Sequence, residues 1–202
     1  MKLIRVSRLL SLTMTLIVIM SLVSQSVMAQ AEGIMATAWS PDGSRVAISG
    51  VNGLLQVRNT FGQVIRTFTG VSTDVRTVDW SPDNTKIVSG GNDGLVRIWD
   101  ANSGQQLAAL SGLEAYTFQV DWSPDGSKIL ATGNGNPNSL IIWNATNYQQ
   151  ISAGNAGQAL GARWSPDSTK IAVVNGTGYV SIYGSNLSQS LTYYELSDAV
   201  MP

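Results

Sequence analysis

Beyond residue 30 the apolar residues come in short runs with a period of two, and clusters of Gly, Asn, Asp and Ser separate the runs. This is strand-and-hairpin patterning, and no segment after residue 30 keeps a helical period. Residues 75–110 show the pattern in full. Val75 to Trp80 alternates, with Val75, Thr77 and Asp79 on one face and Arg76, Val78 and Trp80 on the other. Ser81-Pro82-Asp83-Asn84 reads as a turn, because proline fixes φ at its first central position and the serine hydroxyl can cap it. Lys86 to Ser89 is a second predicted strand, Gly90 to Gly94 a tight connection, and Leu95 to Trp99 a third strand. After the turn Ala101–Gly104, Gln106 to Leu110 completes a set of four. The first 30 residues differ. Lys2, Arg5 and Arg8 precede an apolar stretch, Leu9 to Val23, broken only by Ser and Thr.

The four-strand unit recurs. Trp-Ser-Pro-Asp stands at Trp39–Asp42, Trp80–Asp83, Trp122–Asp125 and Trp164–Asp167, with tryptophans 41, 42 and 42 residues apart. A period of 40–45 residues made of short strands indicates one four-stranded propeller blade per repeat. The expected fold is therefore all-β: a propeller of four blades, each of four antiparallel strands, over residues 30–202, with blades at about 33–70, 71–112, 113–157 and 158–196. The residue after each motif is Gly43, Asn84, Gly126 or Ser168; glycine and asparagine tolerate positive φ at that place, whereas Ser168 fits it less comfortably.

Residues 70–112 resemble the WD40 repeat family, from Gly70 through Val78, Trp80-Ser81-Pro82-Asp83, Ser89-Gly90 and Asn92-Asp93 to Val96-Arg97-Ile98-Trp99-Asp100. Trp143 takes the place of Trp99 in the third copy, where the dipeptide reads Trp143-Asn144; the first and last copies read Arg58-Asn59 and Tyr183-Gly184. The family's opening Gly-His is missing, since the chain has no histidine. The resemblance implies a buried network of His, Asp, Ser and Trp in each blade, which cannot form here in its usual version; only Asp93 matches the Asp position, with Asn52 and Thr177 there in the first and last copies. Trp-Ser-Pro-Asp-Gly followed by Lys-Ile is also similar to TolB-type periplasmic propeller repeats, which implies the same fold. Such rings usually close with seven or eight blades. Four blades without a spare strand to interlock the ends imply an open or partial ring, with two exposed blade faces rich in Val, Ile and Trp, completed by a second copy or by further chain in preference to a small, geometrically tight ring of four.

The N-terminal segment has the charged, apolar and small-residue order of a secretory signal peptide, with Val27-Met28-Ala29 before Gln30. Its apolar run is shorter than the roughly 20 residues a membrane span needs, so cleavage after Ala29 and a secreted or periplasmic location are expected, with membrane attachment only if the segment is retained. Without it, nine basic residues face thirteen acidic ones, a balance that does not suggest nucleic-acid binding. The chain has no cysteine or histidine, which excludes disulfides, Cys/His zinc sites and any His-dependent triad. The periodic Asp42, Asp83, Asp125 and Asp167 read as turn chemistry, not catalysis, and no nucleotide-binding glycine loop is present. No cofactor is expected. The reading is a non-catalytic scaffold that binds other proteins, possibly a second copy of itself. The contact residues nominated are Arg76 with Tyr116 and Phe118 of the neighbouring blade, against the bland reading that Phe118 packs between blades and Arg76 is solvated. The alternative is a propeller enzyme, or an envelope protein binding calcium or another ligand through loop carboxylates, with Asn92-Asp93 and Asn134–Asn138 as oxygen donors.

Overall fold

The computed structural model describes residues 33–71, 73–135, 138–176, 178–187 and, as backbone, 190–195; the expected export segment lies outside them. Among the described residues there are four antiparallel sheets of four strands each. The first holds β1 (Ile34–Trp39), β2 (Arg45–Gly50), β3 (Leu55–Asn59) and β4 (Val64–Thr67). The second holds β5 (Val75–Trp80), β6 (Lys86–Gly91), β7 (Val96–Asp100) and β8 (Gln106–Leu110). The third holds β9 (Ala115–Trp122), β10 (Lys128–Asn134), β11 (Leu140–Asn144) and β12 (Gln150–Gly154), and the fourth β13 (Ala159–Trp164), β14 (Lys170–Asn175), β15 (Tyr179–Gly184) and β16 (Ser190–Glu195). Each sheet runs in sequence order, so every strand pairs with its chain neighbour. The sheets are the blades of a propeller-like arrangement. In the second repeat, β6 runs on through Gly90 and Gly91, which alternation assigns to a connection. The strand passes so close to the next blade here that a Cβ at Gly90 would lie 2.4 Å from the Thr117 methyl, so the position requires glycine.

The core lies between blades, not within them. Successive inner strands pack, β1 on β5, β5 on β9 and β9 on β13, while the first and fourth blades are not among the packed neighbours. Each junction has one apolar cluster. Ala47, Leu55, Val57 and Phe68 of the first blade meet Val78, Trp80, Ile87 and Trp99 of the second. Val88, Val96 and Ile98 then meet Val120, Trp122, Ile129 and Trp143. Leu130, Leu140 and Ile142 meet Ala162, Trp164, Ile171 and Val173. The motif tryptophans of the later blades each face the preceding blade, and among the described residues none precedes Trp39: it is 62% exposed, against 3%, 6% and 7% for Trp80, Trp122 and Trp164.

The first blade's open face is less apolar than expected. Arg58 stands where Trp99 and Trp143 stand in their blades, and it donates to Gln56 Oε1 at 3.0 Å. Ile48 on the same strand pair is buried, and Thr37 is exposed.

The Ser-Pro-Asp turns are built alike. Ser81 Oγ donates to Asp83 Oδ1 at 2.6 Å, and Asp83 also accepts the Thr85 N–H at 3.0 Å and the Thr85 hydroxyl at 2.8 Å. Ser81 Oγ in turn accepts the Lys86 N–H at 2.8 Å, closing the turn. Asp42, Asp125 and Asp167 repeat the pattern with Ser40, Ser123 and Ser165. These donors hold Asp42, Asp83 and Asp167 at a pKa of about 2, and that of Asp125 is also lowered. Positive φ follows each motif as expected, at Gly43, Asn84, Gly126 and Ser168, with φ 59 at the serine.

One limb of the family's buried network survives. Trp99 Nε1 donates to Ser89 Oγ at 2.8 Å inside the second blade. Asp93 is turned elsewhere: it pairs with Arg97 at 2.6 Å and accepts the Leu95 N–H. Asp100 closes the next turn by accepting from Asn102 and Ser103, a task Asn59 and Asn144 perform in their blades.

Candidate functional site

Strand order places the connections between blades, and those between the second and third strands, on one rim. The inner strands start there, and each carries the same irregularity. The ladder between first and second strands shifts at Ile34/Ala36, at Val75/Thr77, at Thr132/Gly133 and at Ala159/Gly161. The residue left out of the ladder is Met35, Arg76, Phe118 or Leu160, in each case four before the motif tryptophan. β9 has a second shift, which leaves out Tyr116. Such bulges bend a strand and re-aim a side chain.

The bulge corrects the faces drawn from alternation. Val78 and Trp80 do face the first blade, but Arg76 is not with them. It reaches the other way, with its guanidinium 5.2 Å from the Tyr116 ring of the third blade. Arg76 Nε donates to Asn92 Oδ1. The Asn92 amide donates to Asp74 at 3.1 Å, and Asp74 accepts the Asn52 N–H of the first blade at 3.0 Å. This polar chain spans three blades and fixes the guanidinium beneath an exposed tyrosine. A cation over an aromatic ring adds roughly 0.5–1 kcal/mol at an exposed site.

The structure thus brings Arg76 and Tyr116 together. Arg76 is half-buried and hydrogen-bonded, not simply solvated. Phe118 is half-buried and belongs to none of the three junction clusters. Met35 and Leu160, both more than 40% exposed, share the rim position and are absent from the residues nominated from sequence. Their signal was available in the repeat itself, as the fourth residue before each tryptophan.

The inner strands also carry carboxylates. Asp79 accepts the Trp122 N–H and Asp121 the Trp164 N–H, both at 2.7 Å, so each clasps the next blade. Arg163 pairs with Asp121. Burial pushes the pKa of Asp79 up to about 6 against the bond from Trp122, and the Asp121 charge adds to the rise. Burial raises Asp121 as well. Both carboxylates are engaged in holding blades together. In the loop considered for calcium, Asn92 is bonded to Arg76 and Asp74, and Asp93 to Arg97. Among the described residues no three acidic side chains come together as a cation site would need.

The family model for the WD domain, G-beta repeat (WD40) matches residues 62–100, the stretch from the end of the first blade through β7. No match to a curated protein is found. WD40 repeats generally mediate contacts between proteins and are typically not catalytic. The matched repeat has counterparts in all four four-stranded antiparallel sheets, which supports a divergent, WD40-like character for the chain.

Proposed function

We propose that this chain is an exported, non-catalytic scaffold that takes its protein partners on the rim of bulged inner strands. The observation that carries the reading is the Arg76–Tyr116 pair, built across two blades and held from below by Asn92 and Asp74. Arginine and tyrosine are the residue types that anchor protein interfaces, and an anchor fixed before binding loses less side-chain entropy on docking. Partners are other proteins, a second copy of the chain among them.

The test is a pull-down from envelope extract with the wild-type chain and an Arg76→Ala/Tyr116→Ala variant. A discrete partner retained by the first and weakened at least tenfold by the second is expected, since two interface anchors are removed. Turnover of a small substrate by the purified chain, or capture unaffected by the double substitution, would overturn it. For export, the expected result is a chain in the extracytoplasmic fraction whose N-terminus begins at Gln30.

A further inference from the structure

Two of the three internal junctions pair the motif tryptophan with a cation from the preceding blade. Arg45 lies 4.6 Å from the Trp80 ring and donates to the Asn84 carbonyl at 2.9 Å. Lys128 lies 5.8 Å from the Trp164 ring. Between them in the repeat, Lys86 and Trp122 line one cavity of about 400 Å³ at the second junction. Arg45, Lys86 and Lys128 are accordingly half-buried. The chain carries one more of each partner. Lys170 occupies the cation position of the fourth blade and is exposed, and Trp39 occupies the aromatic position of the first and is 62% exposed.

The strands around Lys170 tell the same story. Two residues beyond the cation, Ala47, Val88 and Leu130 are buried in the junction clusters, whereas Ala172 is exposed. Val174 is exposed too, and with Gly161, Arg163, Ala172 and Val180 it lines a groove of about 250 Å³ on the fourth blade. At the other end, Arg58 and Gln56 cover the third-strand side of the first blade's face and leave Trp39 uncovered on the inner strand.

We infer that the fourth blade of one chain receives the first blade of a second copy, with Trp39 seated in the Arg163–Val174 groove and Lys170 over its ring. The contact is heterologous, head to tail. Two copies that satisfy both ends reciprocally form a two-fold ring of eight blades, which leaves no such face open. This names one partner of the scaffold and rests on that reading of the chain, but it uses blade faces, not the rim.

The test is sedimentation of the full chain, expressed with its own N-terminal segment, beside Trp39→Ser and Val174→Arg variants. Both positions are exposed, and a circular dichroism spectrum matching wild type verifies that each variant folds. The expected result is a dimer for wild type, at least a tenfold rise in dissociation constant for each variant, and recovery of a heterodimer when the two variants are mixed, because one intact junction remains. Tryptophan emission of the wild type should shift to the red on dilution, and that of Trp39→Ser should not. A wild-type monomer at all concentrations, or a dimer indifferent to both substitutions, would sink the inference. Arg76→Ala/Tyr116→Ala is expected to remain dimeric, so failure of the rim reading and failure of the pairing are told apart.

Discussion

Trp80→Ala is expected to cost about 3–5 kcal/mol of unfolding free energy, the usual range for truncating a fully buried aromatic. The substitution empties the centre of the first junction, between Val57 and Ile87, and removes the bond to the Ala38 carbonyl and the face on which Arg45 rests. The same change at Trp39 is expected to cost under about 1 kcal/mol when measured on the monomer, because exposed side chains contribute little. Urea midpoints of the two variants, recorded at high dilution, decide the matter. Equal losses at both positions would mean that Trp39 is covered within a single chain, contrary to its exposure.

Stability is expected to fall by about 3 kcal/mol as pH rises from 4 to 7, with Asp79 the largest contributor. Its carboxyl has a pKa of about 6 in the folded chain against a usual 3.8, so between those values the folded state holds the proton more tightly than the unfolded one. Folding is favoured while the proton stays bound, and the advantage is lost as pH climbs through 6. Asp121 acts in the same direction. The turn aspartates act oppositely. Asp42, Asp83 and Asp167 titrate near 2, so their contribution is present above the unfolded value and is lost as pH falls from about 4 to 2. Maximum stability is therefore expected at about pH 4–5. Asp79→Asn keeps an oxygen for the Trp122 N–H and abolishes the buried charge. It should match wild type at pH 4 and exceed it by about 2 kcal/mol at pH 8. Thermal melts across this range test it, and a variant with the wild-type slope between pH 4 and 7 would refute the assignment to Asp79.

The repeat was legible because its residues do local work that any single copy reveals. Ser81, Pro82 and Asp83 close a turn by themselves, and positive φ at Asn84 follows from that closure. What the pattern concealed depends on the neighbouring blade. Trp39 and Trp80 open the same Trp-Ser-Pro-Asp motif and have opposite exposures in space, since among the described residues only Trp80 has a blade before it. Arg58 likewise reads as a lapse from the Trp position, and its service as a polar cover for Ile48 appears only once the open face is seen. The bulges were hidden for a different reason. Alternation by two counts residues and does not register that one has left the ladder, so Arg76 was grouped with Val78 and Trp80 while its side chain crosses to Tyr116. Aromaticity singles out Phe118, whereas nothing in the apolar side chains of Met35 and Leu160 marks them off from strand residues of the core.

The four bulge residues are Met35, Arg76, Phe118 and Leu160, and they have little chemistry in common. A position outside the ladder sets no register; Arg76 is tied into the polar chain across three blades, whereas Met35, Phe118 and Leu160 belong to none of the junction clusters. On the proposed reading, recognition can be rewritten at those three places, one at a time, while the blades stay fixed. The same backbone would then display a new address to each new partner, much as one lock body accepts a different set of pins.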